Sequence, residues 1–361
     1  THGNNWLNDD IKKVTAGAAS PMEKAKNIFE FVREGFITTR ESWFLSQTLK
    51  KTFDSKKGNV ADLNILLVAM LKNAGLEAKP VILSTRDNGR AYETYPILDR
   101  FNYTVARLDI DDQMYLLDAA DGRVGFGRLP EKCYNGSGRV IDEQPMLVQL
   151  SPDSLNESKM TTVFINNGEK EMNASFRTQL GLFESDDIRR RLRNTKEDDF
   201  FNEIKKAYTM DITMQNMLID SLKKIDDPVT IKYDFSFSTN DEDIIYFNPM
   251  MGEAYKDNPF TAAERLFPVE MPYCSNEIYI LNMEIPKGYK VDELPKSARV
   301  KLNDEDGMFE YIIEQSNGYV RMRCHIVISR ATFDPEDYQT LRDFYAFIVS
   351  KQAEQVVFKK L

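Results

Sequence analysis

Apolar residues recur at helical spacing over positions 21–36, where Ala25, Ile28, Phe29, Phe31, Val32 and Phe36 share one face. Ser20 can cap this helix, with Pro21 at its first position and Glu23 three residues after the cap, and Gly35 closes it. A second helical stretch spans about 43–53, and the basic turn Lys56-Lys57-Gly58 leads into a third. That third helix is the best-marked element of the chain. Asn59 can cap it, and Asp62 sits where the positive end of the helix dipole favours an acid. Leu63, Leu66, Leu67, Met70, Leu71 and Ala74 form its stripe, and Gly75 supplies the C-cap. Strands are predicted at 78–83, 101–108 and 114–117, the last two joined by the turn Asp109-Ile110-Asp111-Asp112. Helices first and an antiparallel sheet afterwards read as α+β.

From about 145 to 181 polar and apolar residues alternate, with Asn167-Gly168 as a hairpin turn between the runs 161–166 and 174–180. Helical patterns follow at about 185–194, 198–208 and 213–223. Strands resume at 230–238, 244–248, 275–285, 298–302, 308–315 and 319–329. A last amphipathic helix at about 335–352 carries Tyr338, Leu341, Phe344, Tyr345 and Ile348. The pattern predicts a core domain over 1–143 and a β-sandwich-like domain over 144–361 with a helical insert near 185–224. No internal repeat or low-complexity linker separates them.

Composition narrows the function classes. At 361 residues, 42% hydrophobic and 29% charged, the chain can bury substantial cores. Its net charge of −10 disfavours nucleic-acid binding, and Arg189-Arg190-Arg191 and Lys205-Lys206 are flanked by acids, as on solvated helix faces. No run approaches the ~20 apolar residues of a membrane span. The start Thr1-His2-Gly3, without Met or an apolar leader, reads as a processed or trimmed product. Cys133, Cys274 and Cys324 form no framework, and pairing of Cys274 with Cys324 is left open by their spacing. Two histidines, His2 and His325, and three scattered cysteines give no zinc spacing. Asp241-Glu242-Asp243 and Asn303-Asp304-Glu305-Asp306-Gly307 read as turn chemistry, the latter without the terminal glutamate of a calcium loop. No metal or cofactor is expected, and the glycines between 122 and 138 read as turns.

The run Lys57-Gly58-Asn59-Val60-Ala61-Asp62, the apolar helix after it and its Gly75-Leu76-Glu77-Ala78 exit resemble the nucleophile helix of transglutaminase-like proteins. The resemblance covers roughly 21–142 and implies a papain/transglutaminase-like core. In that superfamily a thiolate attacks the acyl carbon, an imidazole moves the proton and a carboxylate fixes the imidazole's tautomer. Catalytic members match Gly-x-Cys, an Asn-His strand and a Leu-Asp strand. Here those positions read Gly58-Asn59-Val60, Asn102-Tyr103 and Leu117-Asp118. Valine is no nucleophile, and neither Asn102 nor Tyr103 shuttles a proton near neutral pH as histidine does. Asp118 alone is retained, and it also reads as a carboxylate capping a strand-end turn. The whole chain resembles bacterial, chiefly Bacteroidetes, envelope proteins in which such a core precedes a β-rich domain of unknown function. That resemblance implies a further β domain ahead of the core and a periplasmic or exported location.

Two further features bear on function. Cys133 could stand in as a nucleophile, but partnering it with His325 would need residues from both halves of the chain. The polar loop 84–96 borders the active-site cleft in proteins of this superfamily. There Arg86, Asn88, Arg90, Tyr92 and Tyr95, with Asn102 nearby, offer bidentate donors and aromatic faces suited to a peptide or glycan. The same residues also fit a solvated loop held by its own Asp-Asn-Gly turn. The sequence therefore favours a non-catalytic binding or scaffold protein. The alternatives are a cysteine peptidase, amidase or transglutaminase-like enzyme using a nucleophile such as Cys133, and a purely structural spacer.

Overall fold

The computed structural model describes residues 4–95, 97–239 and 242–361; Thr1, His2, Gly3, Pro96 and Asp241, named above, lie outside the described residues. The chain divides into two compact units, Thr1–Ser154 and Leu155–Leu361.

The first unit opens with α1 (Asn8–Val14), α2 (Pro21–Gly35), β1 (Ile37–Thr38), α3 (Leu49–Ser55), β2 (Lys57–Gly58) and α4 (Val60–Asn73). A sheet follows: β3 (Glu77–Leu83), β4 (Tyr103–Ile110), β5 (Gln113–Leu117), β6 (Gly136–Val140) and β7 (Leu147–Leu150). Its order is β5-β4-β3-β6-β7 and every pairing is antiparallel. Leu63, Leu66, Leu67 and Met70 of α4 pack with Ile28 and Phe29 of α2 and with the sheet.

Local chemistry sets the helix ends. Ser20 Oγ accepts the Glu23 N–H at 3.1 Å, and the Glu23 carboxylate accepts the Ala19 N–H at 2.6 Å. Asn59 and Asp62 cap α4 reciprocally. At its other end Gly75, at φ +81°, lets the Leu76 N–H reach Leu71 O while its own N–H reaches Lys72 O, the Schellman arrangement. The β4–β5 hairpin turns at Asp111 and Asp112, both at positive φ.

Two expectations fail here. The helix predicted over 43–53 begins only at Leu49, because the preceding backbone is taken up by other partners: Asp62 accepts the Ser46 N–H, and Thr104 and Asn59 side chains donate to the carbonyls of Trp43 and Phe44. The glycine-bearing segment read as turns contributes β6. A Cβ on Gly138 would lie 2.9 Å from Val81 Cγ1 and 3.2 Å from Ile82 O, so glycine there permits close approach to β3.

The second unit contains β8 (Asn156–Asn167), β9 (Met172–Gln179), α5 (Leu182–Leu192), α6 (Glu197–Ala207), β10 (Thr213–Asp220), β11 (Thr230–Phe237), β12 (Ile244–Phe247) and β13 (Val269–Glu270). It continues with β14 (Cys274–Glu284), β15 (Tyr289–Glu293), β16 (Ala298–Lys301), β17 (Gly307–Ser316), β18 (Tyr319–Ile328), β19 (Thr332–Phe333), α7 (Tyr338–Gln352) and β20 (Val356–Lys360). Eight strands form one sheet in the order β10-β11-β9-β8-β14-β18-β17-β16. Two antiparallel four-stranded halves thus meet at a single parallel seam between β8 and β14. One face of this sheet packs into a core with Leu341, Phe344 and Ile348 of α7 and with Phe247 and Phe358 of the small sheet β12-β20-β15. The fold is α+β, with a β-rich second unit.

The helix predicted over 213–223 is a strand. Its methionines and leucines have helical spacing, yet β11 offers a free ladder edge, and β10 pairs with it through a bulge between Gln215 and Leu218. Strands β7, β15 and β20 were not anticipated. Cys274 and Cys324 are both buried free thiols. Cys324 stands opposite Tyr279, five residues along β14 from Cys274, which is about 17 Å at strand spacing. Alternation holds for its neighbour: Cys324 faces the core, whereas half-buried His325 bonds Asn276 Oδ1 at 2.8 Å on the other side. Among the described residues no helix is long and apolar enough to cross a membrane.

One buried carboxylate carries a pH signature. Glu157 on β8 accepts the N–H groups of Phe183 (3.3 Å) and Glu184 (2.8 Å) at the start of α5. A Cβ on Gly181 would lie 2.1 Å from Glu157 Cδ, so that glycine makes the cap possible. Burial pushes the Glu157 carboxyl up to about 7, against the opposing effect of the two N–H donors. The folded value exceeds the ordinary 4.5, so this stabilisation is full below about pH 4.5 and is lost as the pH rises through about 7. Glu157→Gln is expected to reduce the stability difference between pH 5 and pH 8 by on the order of 2 kcal/mol in urea unfolding. Gly181→Ala is expected to cost about 1–2 kcal/mol by displacing the cap; an unchanged urea midpoint would refute that role.

Candidate functional site

The start of α4 is fixed by the side chain of Asp62. Its carboxylate accepts the Asn59 N–H at 2.9 Å, the Ser46 N–H at 2.8 Å and the Ser46 hydroxyl at 2.5 Å. A Cβ on Gly58 would meet Asp62 Cβ at 2.6 Å, so the glycine of the Gly-x-Val turn is required by packing alone. This geometry delivers Val60, the first residue of α4, into a buried apolar cluster with Tyr103, Cys133, Leu83 and Leu129, and its N–H is taken by Arg40 O at 3.0 Å.

Tyr103 opens β4 and Asp118 follows β5. The Tyr103 hydroxyl donates to Asp118 Oδ2 at 2.8 Å. Asn64, one helical turn beyond Val60, donates through Nδ2 to Asp118 Oδ1 at 2.8 Å and to Thr104 O at 2.9 Å, and its Oδ1 accepts the Ala119 N–H. The Ala120 N–H completes the shell at 3.0 Å. Of the two residues considered at the second position, it is Tyr103 that bonds Asp118. Asn102 points instead to Thr85, exchanging bonds of 2.9 and 2.7 Å with its N–H and hydroxyl.

Val60, Asn64, Tyr103, Asp118 and Cys133 are shut off from solvent. Val60 and Tyr103 are each 2% exposed, and Asp118 and Cys133 are wholly buried. Above the Tyr103 ring, at 5.0 Å, lies the Lys132 ammonium, which is also paired with Glu41. Burial raises the Tyr103 hydroxyl well above its ordinary range, and the adjacent Asp118 charge adds to this. Burial likewise raises the Asp118 carboxyl, although Asn64 and Tyr103 oppose it. The Cys133 thiol is pushed well up, again by burial first and by Asp118 second. Near neutral pH the tyrosine keeps its proton and the cysteine stays a thiol. A buried thiol without an accessible thiolate is a poor nucleophile. His325 belongs to the other unit.

Loop 84–95 is anchored largely by residues outside it. Asn88 donates to Ser84 Oγ and Arg100 O, and Arg86 Nε donates to Tyr134 O. Asn135 donates to the carbonyls of Ser84, Thr85 and Gly89. Arg90, Tyr92 and Tyr95 are exposed, the two tyrosines at 57% and 75%. Asn64, Lys132 and Asn135 were not singled out in the sequence. Asn64 alone left a signal there, a polar residue on α4 four positions after Val60.

A model of the transglutaminase-like superfamily matches residues 10–111, and a model described as a domain of unknown function with solved structure (DUF3858) matches 243–358. A crystal structure of a protein from Parabacteroides distasonis, described as a "putative protease", is similar with a TM-score of 0.55 at 11% identity. The match covers 99% of this chain and 55% of that one, so the chain spans about half that protein's length. At this identity the likeness concerns fold alone. No curated protein matches the sequence. The chain thus carries a transglutaminase-like domain and a DUF3858 domain.

Tyr103→Phe keeps the apolar packing and removes one donor from the buried Asp118. It is expected to destabilise the first unit by about 1–3 kcal/mol, read as a lower midpoint in urea unfolding; an unchanged midpoint would show that the pair is not structural.

Proposed function

We propose that this chain is a non-catalytic transglutaminase-like protein with a binding or scaffold role toward peptides or glycans. The observation that carries this reading is the Tyr103–Asp118 hydrogen bond beside Val60, at a place closed to solvent. Acyl transfer by this fold needs a nucleophile and a proton carrier at a reachable carbon. Here an alkyl side chain and a protonated phenol fill that volume. The buried arrangement also argues against ligand entry beside Val60, since a ligand there would have to break the Tyr103–Asp118 bond. Contact with a peptide or glycan accordingly falls on the exposed faces of Tyr92 and Tyr95, which adjoin exposed Ile97 and Leu98. An exported, envelope setting is part of the same proposal, supported by the resemblance.

The reading built on Cys133 as nucleophile is disfavoured by its complete burial and raised thiol. Native alkylation with iodoacetamide, mapped by mass spectrometry, is expected to leave Cys133 unmodified until the chain is unfolded. Incubation with casein and with amide-bearing peptides is expected to release no product. Rapid native labelling of Cys133 together with turnover would overturn the proposal. Persistence of both negatives in the presence of reductant would support it.

A further inference from the structure

The face of the large sheet that carries Thr162 and Phe164 holds a groove of about 420 Å³ at its β10–β11–β9–β8 end. Its floor is a cross-strand row. Arg177 on β9 lies directly opposite Lys232 on β11, with Thr162 on β8 and Leu218 on β10 continuing the row outward. The neighbouring row brings together Phe164, Ser175 and Asp234. The β10 bulge raises one rim. There Asn216, at φ +54°, donates to Asp234 Oδ2 at 2.7 Å. Phe164 and Leu218 form walls that are 47% and 50% exposed.

Two cations directly opposite each other on a ladder repel and destabilise the pairing. Relief within the chain is slight. Lys232 Nζ lies 4.0 Å from the exposed Asp220, and among the described residues Arg177 has no acidic partner. With Asp234 counted, the floor carries Arg177 (+1), Lys232 (+1) and Asp234 (−1), a net charge of +1. That balance suits a monoanion better than a dianionic phosphate, which Asp234 would repel. A guanidinium fork matches a carboxylate. The other oxygen of Asp234 can accept an amide N–H, and the two walls can take an apolar side chain.

We infer that this groove binds the C-terminal end of a peptide, with its carboxylate on Arg177, its last amide N–H on Asp234 and an apolar last side chain between Phe164 and Leu218. This site is separate from the Tyr92 and Tyr95 surface proposed above and does not depend on it.

The test uses N-acetyl-alanyl-phenylalanine and its C-terminal amide, titrated into the ¹⁵N-labelled full chain. The acid is expected to shift resonances of β9 and β11, and the amide is expected to bind at least tenfold more weakly. Arg177→Gln is expected to weaken the acid at least tenfold and to leave the amide unchanged. Because the substitution removes a repulsion, the variant is expected to unfold at no lower temperature than the parent, which separates lost binding from lost fold. Equal binding of acid and amide, absence of any shift with the acid, or tighter binding of phenyl phosphate than of the acid would each overturn the assignment.

Discussion

The first unit is organised around a carboxylate placed where water cannot reach it. Asp118 draws one donor from α4, one from β4 and one from the chain just after β5. An ionised carboxylate in such a place is tolerable only while those donors stay in position, since each unmet bond leaves a buried charge short of solvation. The helix α4, strand β4 and the strand-end turn are therefore held in one mutual arrangement. Asn64 does the most here, because it also accepts the Ala119 N–H and donates to Thr104 O. The apolar cluster of Val60, Leu83, Leu129 and Cys133 then packs around a polar anchor already fixed in direction.

What the sequence disclosed follows the range of the interactions involved. The cap at Asn59 and Asp62, the Schellman exit at Gly75 and the Ser20–Glu23 box are made by residues three to five positions apart, and they read directly from order. The convergence of Val60, Tyr103 and Asp118 could be anticipated only by threading the order of elements onto a known core. The partners of Asn64 lie 40, 54 and 55 residues away, and those of Asn135 lie 46 to 51 residues away, so no local pattern announces them. Position 213–220 shows the limit in another form. Helical spacing of Met214, Met217 and Leu218 competes with the free edge of β11, and the ladder wins. Gly138 misled for a related reason, since a glycine that allows close strand contact is indistinguishable in sequence from one that makes a turn.

The second unit manages buried polarity differently. Glu157 is drawn inward to cap α5 and depends on the absence of a side chain at Gly181. On the other side of the same sheet, Glu310 answers the charges of Arg299 and Arg323, and their attraction holds its carboxyl below the ordinary range. Arg177 and Lys232 have no comparable acid between them.

The parallel seam between β8 and β14 has a consequence for how the molecule is made. Asn156 pairs with Cys274, 118 residues later, while β8 and β9 meet through a tight hairpin. During synthesis the first four strands of the sheet can assemble as soon as β11 has emerged, but the far edge of β8 then stays bare until β14 is available. An unpaired strand in a growing chain is an open template for foreign strands. The closing step also has a large loop to restrain, which slows it relative to the local hairpins on either side. Closure of this sheet thus waits on the arrival of one strand.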